Sequence, residues 1–324
     1  MNFVASQTLP SPAAAVAPAP APDARSLQDW LMRMHEAAKN RSYVGTFVVS
    51  AGGNMSSAKI WHVCEGAEQA ERVDILSGTP RSIFRHNDLV VTLLPEHKLA
   101  RSEKRESLGL FSGLFEAADS RIGDFYNISR VGSGRIAGVE ADILLLSPRD
   151  RLRFGYRVWT ERKNGLVVKL QTLNTDGRVL EQAAFSELQL DAPVSMDKLV
   201  QSMGRLEGYR VEKPLLIKTT ASAEGWLLKT PVAGFNSMSC YKRPAIGAAA
   251  TGAAPLQWIF SDGLASVSIF IEPLDRQRHT QESSLSLGAT QTMTRQLDAY
   301  WITLVGEVPM TTLRLFASAL ERSK

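Results

Sequence analysis

The sequence predicts an α+β fold dominated by antiparallel β-structure: a large sheet of about ten strands with one or two helices, then a smaller α+β domain. Three observations lead there. Short runs of alternating apolar and polar residues recur from Tyr43 to Leu188, the pattern of strands with one buried face. Asn164-Gly165 and Asp176-Gly177 separate such runs and are strong short-range hairpin signals. A second series of strands begins near Thr219 and closes with an apolar-striped helix. About ten twisted strands tend to curl, and a curled sheet with helices on its concave face makes an apolar pocket.

The elements follow in order. Ser26 is a good N-cap with Asp29 three residues on, and Leu27, Trp30, Leu31, Met34 and Ala38 recur at helical spacing, so residues 27–40 form an amphipathic helix. Strands are predicted at Tyr43–Ser50 and Lys59–Cys64, joined through Gly52-Gly53-Asn54, then at Val73–Leu76, Ser82–Phe84 and Leu89–Leu94. Residues 106–121 break the pattern and suit a short helix or a loop with an apolar face. Strands resume at Phe125–Val131, Arg135–Val139 and Asp142–Leu146. After a turn at Ser147-Pro148, Phe154, Tyr156 and Val158 alternate with Arg153, Gly155 and Arg157 as one half-buried strand. Leu166–Leu173 and Val179–Leu188 complete the meander. Residues 191–216 read as a connector containing a short helix at Met196–Gly204. The second unit offers strands at Gly225–Lys229, Phe235–Lys242, Gln257–Phe260, Leu264–Ile271, Thr290–Leu297 and Tyr300–Val305, with an Ala/Gly-rich loop at 245–254. Pro309 opens the last helix, where its missing N–H is harmless, and Leu313, Phe316, Ala317 and Leu320 form the buried stripe.

A chain of 324 residues has room for about two domains and a sizeable core. Apolar content of 44% and charged content of 22% are ordinary for a globular protein. The net charge is +4, from 37 basic and 33 acidic residues, with the two signs interspersed. That permits an anionic partner without demanding one, and no nucleic-acid partner is predicted. Cys64 and Cys240 form no CxxC, which leaves two isolated thiols or, in an oxidising compartment, one disulfide tying two domains. No apolar run approaches the ~20 residues of a transmembrane helix. Residues 1–25 form an Ala/Pro-rich leader, either the tail of a signal peptide, with Ala17-Pro-Ala19 fitting a small-residue cleavage site, or a disordered linker.

The search for chemistry is mostly negative. His35, His62, His86, His97 and His279 show no helical metal-pair spacing, and no metal is predicted. Ser56/Lys59 and Ser195/Lys198 match S-x-x-K, but nothing completes an acyl-transfer site, and both matches read as chance. There is no GxSxG, and Gly132-Ser-Gly134 is neither a dinucleotide fingerprint nor a P-loop. No catalytic residue and no cofactor is predicted. Two basic groups stand out, Lys98, Arg101, Lys104 and Arg105, and Arg149, Arg151, Arg153 and Arg157. They are either solvated charge or anion-binding groups at the mouth of an apolar pocket. An apolar pocket with a cationic rim suits a phosphorylated lipid.

The stretch from Ala141 to Trp159 resembles a strand pair of the RseB/MucB family, and so does Tyr43-Val-Gly-Thr-Phe47. In the second unit, Phe260–Ile271 and Val305-Gly-Glu-Val-Pro309 resemble that family's C-terminal domain. The resemblance runs over residues 26–322. It implies a periplasmic negative regulator of sigma-E (AlgU-type) envelope-stress signalling, which binds the periplasmic part of a membrane-spanning anti-sigma factor of RseA/MucA type and shields it from regulated proteolysis. It also implies that the large domain is a LolA/LolB-like half-open barrel whose cavity takes lipopolysaccharide or lipoprotein acyl chains, and that uptake triggers release. The organisation expected is a leader at 1–25, a lipid-cavity domain at 26–190, a linker at 191–216 and a C-terminal domain at 217–324.

Within this reading Phe47, Val49, Trp61, Leu110, Phe111, Leu114, Phe115, Phe154 and Tyr156 are the expected cavity lining. Lys98, Arg101, Arg149, Arg151 and Arg153 are the expected anion-binding groups. Tyr241, Trp258, Phe260, Arg276 and Arg278 are the expected partner contacts, the small domain carrying most of them. A homodimer is compatible with a regulator. A lipoprotein or lipid carrier of LolA/LolB type is the alternative, although a simple carrier needs only the first domain. A hydrolase with a dispersed site is a third reading.

Overall fold

Ser26 caps the first helix as predicted. Its Oγ accepts the Asp29 N–H at 3.2 Å while the Asp29 carboxylate accepts the Ser26 N–H at 2.9 Å, a reciprocal capping box. The structure is a computed structural model that describes residues 25–104, 122–243 and 254–323. Residues 1–24 of the leader, the whole apolar 106–121 segment and all but the last residue of the Ala/Gly-rich loop lie outside the described residues, and so do Leu110, Phe111, Leu114 and Phe115.

The first domain begins with α1 (Leu27–Asn40), β1 (Tyr43–Ala51), β2 (Asn54–Glu65), β3 (Glu68–Ile75), β4 (Arg81–His86), β5 (Leu89–Leu94) and β6 (Leu99–Lys104). It continues with α2 (Ile122–Phe125), β7 (Tyr126–Ile136), β8 (Val139–Pro148), β9 (Gly155–Glu161), β10 (Val167–Leu173), β11 (Val179–Leu190), α3 (Met196–Met203) and β12 (Arg210–Glu212). Twelve strands form one open sheet in the order β12-β6-β5-β4-β3-β2-β1-β11-β10-β9-β8-β7. Every pairing in it is antiparallel except β12 with β6.

The second domain holds β13 (Ile217–Lys218), β14 (Trp226–Leu228), β15 (Asn236–Lys242), β16 (Leu256–Ser261), β17 (Ser266–Pro273), β18 (Ser283–Leu287), β19 (Thr290–Leu297), β20 (Tyr300–Gly306), α4 (Met310–Ala319) and β21 (Leu320–Arg322). Seven of these strands make an antiparallel sheet in the order β13-β15-β16-β17-β20-β19-β18, and β14 pairs with β21.

Strand parity decides which side chains meet. Tyr43, Phe47, Ala58, Ile60 and Phe185 share one face of the large sheet, and Trp30, Leu31, Met34 and Ala37 of α1 pack into the same core. The opposite face receives α3, whose Met196 and Leu199 meet Trp61, Val63 and Ala70. The helix stripes predicted from sequence are therefore the faces that bury. In the second domain Trp258, Phe260, Ile269, Leu304 and the α4 residues Leu313 and Phe316 make a separate core.

Several expectations need correction. Arg135–Val139 is not a strand of its own. β7 runs unbroken through Ile136, and Ala137 and Gly138 make the turn with φ of 47° and 86°. The turn after β8 comes after Pro148, which still pairs with Tyr126, and Phe154 precedes β9. The 191–216 stretch is more than a connector, because α3 packs on the first sheet and β12 adds a strand at its edge. Pro309 is the N-cap of α4, one place before its first turn. Cys64 and Cys240 are both free, so no disulfide ties the domains. Ser195 of the chance S-x-x-K match caps α3, its Oγ accepting the Lys198 N–H at 3.3 Å.

Candidate partner-binding site

Residues 149–154, between β8 and β9, reach from the large sheet into the second domain. Thr312 at the start of α4 donates to the Leu152 carbonyl at 2.8 Å, and Leu152 packs against the second core. Next to it, Arg153 is fully buried. Its guanidinium meets the Asp262 carboxylate at 2.6 Å and the Ala233 carbonyl at 2.8 Å, and it also bonds Asp150. Phe125 and Phe235 flank it, with ring centres 4.3 and 4.9 Å away. Asp262 is held in turn by the N–H groups of Leu264 and Ala265 at 2.9 and 2.7 Å. This bond network fixes the two domains to each other.

Arg153 is therefore a correction. A guanidinium with no exposure and three protein acceptors is not available to a ligand. The other predicted anion-binding groups are exposed but do not form one cluster. Arg101 pairs with Glu212 at 3.6 Å near the β12 edge, with Lys98 exposed just before β6. Arg149 donates to Asn127 at 3.0 Å, and Arg149 and Arg151 are both exposed beside β8.

Of the predicted cavity residues, Phe47 and Tyr156 are buried and Val49 half-buried, all packed in the core that α1 joins. Phe154 is buried before β9. Trp61 faces the other way. Its neighbours are Val44, Val194 and Leu199 around a 380 Å³ pocket beneath α3, because odd and even positions of β2 lie on opposite faces.

The second domain carries an apolar groove of 600 Å³. Trp226, Val232, Phe235, Met238, Trp258 and Phe260 line it. A register shift between Ser237 and Ser239 leaves Met238 as an extra residue, and this bulge turns it outward, 62% exposed. Trp258 is fixed by its Nε1–H, which donates to Ser237 Oγ at 2.8 Å. The predicted partner contacts divide among three places. Trp258 and Phe260 line this groove, while Tyr241, on the opposite face of β15, lines a 730 Å³ cleft against Asp88, Glu103 and Lys104 of the first domain. Arg276 and Arg278 are exposed on the turn after β17, with Arg278 paired to Asp275 at 2.8 Å and Glu272 at 3.6 Å. The sequence reading missed Phe235, just before β15, and Met238, whose groove position depends on a bulge that periodicity does not reveal.

Comparison with known proteins matches residues 26–203 to the MucB/RseB N-terminal domain and residues 220–321 to the MucB/RseB C-terminal domain. The sigma factor AlgU regulatory protein MucB of Pseudomonas aeruginosa is 30% identical over 314 residues, covering 93% of this chain and 92% of that protein. The sigma-E factor regulatory protein RseB of Haemophilus influenzae is 23% identical over 302 residues, covering 89% of each. Among solved structures, the Pseudomonas aeruginosa MucA/MucB complex matches with a TM-score of 0.72 at 26% identity, covering 92% of this chain and 99% of the matched one. With both domain models matched in order along almost its whole described length, the chain belongs to the MucB/RseB family.

Proposed function

We propose that this chain is a non-enzymatic periplasmic regulator that binds the periplasmic region of a membrane-spanning anti-sigma factor, shields that region from regulated proteolysis, and releases it on binding lipopolysaccharide or lipoprotein acyl chains. The observation that carries this reading is the likeness, over both domains, to MucB as solved with MucA. Two surfaces of this chain support it. The 600 Å³ groove presents aromatic side chains with a polar rim, the composition of a peptide-binding hot spot. The 730 Å³ cleft between the domains carries charge of both signs and suits an extended segment of mixed charge. A division of labour follows, with the second domain and the cleft holding the partner and the first domain sensing lipid. A simple lipid carrier would have no use for the second domain.

The test is binding of the full chain to the periplasmic region of a single-span anti-sigma factor, followed by calorimetry, with lipopolysaccharide added to the preformed complex. Binding that protects the partner from protease, and is lost with lipopolysaccharide, is the expected result. No binding overturns the reading. Binding that lipopolysaccharide leaves intact removes the lipid-release half and keeps the partner half.

A further inference from the structure

We propose that Cys64 is a nucleophilic thiol, with His62 as the cation that stabilises its thiolate and Glu71 as the group that orients His62, and that it exchanges with small-molecule disulfides to carry a mixed disulfide. The inference is independent of the regulatory role above.

The three side chains come from neighbouring β2 and β3. His62 and Cys64 are two apart on one strand and so share a face, and His62 pairs directly with Glu71 across the hairpin. His62 Nε2 lies 3.0 Å from Cys64 Sγ, and His62 Nδ1 lies 2.6 Å from Glu71 Oε1. A thiol, an imidazolium and a carboxylate that orients the ring, each within hydrogen-bond reach of the next, is an arrangement that activates a thiol. The supports behind it are fixed. Arg85 Nε donates to the other Glu71 oxygen at 3.0 Å, and its guanidinium also bonds Gln69 at 3.1 Å. Tyr43 stacks on the His62 ring at 4.9 Å. His62 and Glu71 are sealed from solvent, whereas Cys64 is half-buried beside Arg41 and Ser42 and meets solvent.

The charges favour a protonated ring. Burial works against a charged His62, but its hydrogen bonds to Cys64 and Glu71 outweigh burial and raise it to about 9. Burial likewise works against a charged Glu71, but the contacts with His62 and Arg85 outweigh it and lower it to about 2. Below about pH 9 the ring is therefore a cation held by Glu71, and its Nε2–H faces the Cys64 sulfur. The thiol gives its proton to water, and the imidazolium stabilises the thiolate left behind. The sulfur then attacks one sulfur of a disulfide R–S–S–R. A new Sγ–S bond forms, the old S–S bond breaks, and R–S⁻ leaves and takes a proton from water in place of the one Cys64 gave up. The balance is one protein thiol plus one disulfide giving one mixed disulfide plus one free thiol. Electrons move only between sulfurs, so no other oxidant is needed.

The adduct has no resolving partner within the chain. Cys240 sits in the core of the other domain, and burial pushes its thiol up to about 11. A mixed disulfide at Cys64 is therefore a stable end state, reversed only by an external thiol.

The test uses the full chain, with an aromatic disulfide as a rate probe and glutathione disulfide as a physiological-type reagent. At mildly acidic pH, Cys64 is expected to react about ten-fold or more faster than N-acetylcysteine, since a thiolate beside a histidine cation persists to lower pH than a free one. Mass spectrometry after glutathione disulfide is expected to place the adduct on the peptide containing Cys64, and Cys64→Ser to abolish the fast phase. His62→Gln, with its fold checked by circular dichroism, is expected to bring the rate down to that of the free thiol. A wild-type rate at or below that of N-acetylcysteine overturns the proposal without any variant. So does a fast rate that a folded His62→Gln protein retains.

Discussion

Arg153 Nε lies 2.6 Å from Asp262 Oδ2, with both side chains fully shut off from solvent and their backbones in different domains. Each belongs to a stretch by which the chain resembles its family, so two separate signatures meet in one bond. Arginine suits the place because its planar fork serves Asp262, Asp150 and the Ala233 carbonyl while its faces rest on Phe125 and Phe235. Removing one member of a buried pair leaves the other charge uncompensated, at a cost of about 3–5 kcal/mol. Asp262→Ala is expected to lower stability by that amount in urea unfolding and to split one transition into two as the domains uncouple. Arg153→Met with Asp262→Leu is expected to recover part of the loss, since no bare charge remains. A loss below about 1 kcal/mol for Asp262→Ala would mean the pair behaves as a solvated surface bridge.

Gly45 makes a second prediction. A Cβ at this position would lie 2.6 Å from the Phe185 ring and 2.8 Å from the Glu187 carbonyl. The Tyr43-Val-Gly-Thr-Phe47 motif thus reads as a socket. Tyr43 and Phe47 meet Phe185 edge-on at 5.9 and 6.1 Å, and Gly45 between them leaves room for the ring. Gly45→Ala is expected to cost about 1–3 kcal/mol through overpacking, as a lowered midpoint in thermal unfolding.

These two cases show what was legible in the sequence. The hairpins at Asn164-Gly165 and Asp176-Gly177, the capped α1 and the α4 stripe all depend on neighbours in sequence, and all were readable. The Arg153–Asp262 bond joins residues from two domains, so alternation alone placed Arg153 on a solvated face. Trp61 was misplaced for a related reason. Its strand was identified, but parity does not say which face meets α1 and which meets α3. β12 was missed because three residues carry no pattern, and their pairing with β6 depends on how the chain returns after α3. Met238 was missed because a bulge resets the alternation of β15.

The His62–Glu71 pair gives stability a pH dependence of known sign. His62 is raised from 6.5 to about 9, so its contribution is fully present below 6.5 and is lost as pH rises through 9. Glu71 is lowered from 4.5 to about 2, so its contribution is present above 4.5 and is lost as pH falls through 2. Both contributions are complete only between about pH 4.5 and 6.5. Urea midpoints measured across pH are expected to decline on the alkaline side of this window, and Glu71→Gln is expected to flatten that decline. An alkaline limb unchanged in Glu71→Gln would assign it to other groups.

The groove supplies the last prediction, and it separates binding from folding. Substituting Trp258 or Phe260 would damage the second core, because both are buried and Phe260 lies 4.9 Å from Phe316 of α4. Met238 is different. It lines the same groove, yet the bulge leaves it 62% exposed, so little of the core depends on it. An exposed methionine at the lip of an aromatic groove adapts to an apolar partner side chain. Met238→Asp is expected to change unfolding free energy by less than about 0.5 kcal/mol, as for surface substitutions generally. It is also expected to weaken anti-sigma binding by about ten-fold or more, since an apolar contact is replaced by a charge that must be desolvated. Calorimetric titration of the folded variant reads the second effect directly. Unchanged affinity would move the partner away from both the Trp258 groove and the Tyr241 cleft, because Met238 lines the two.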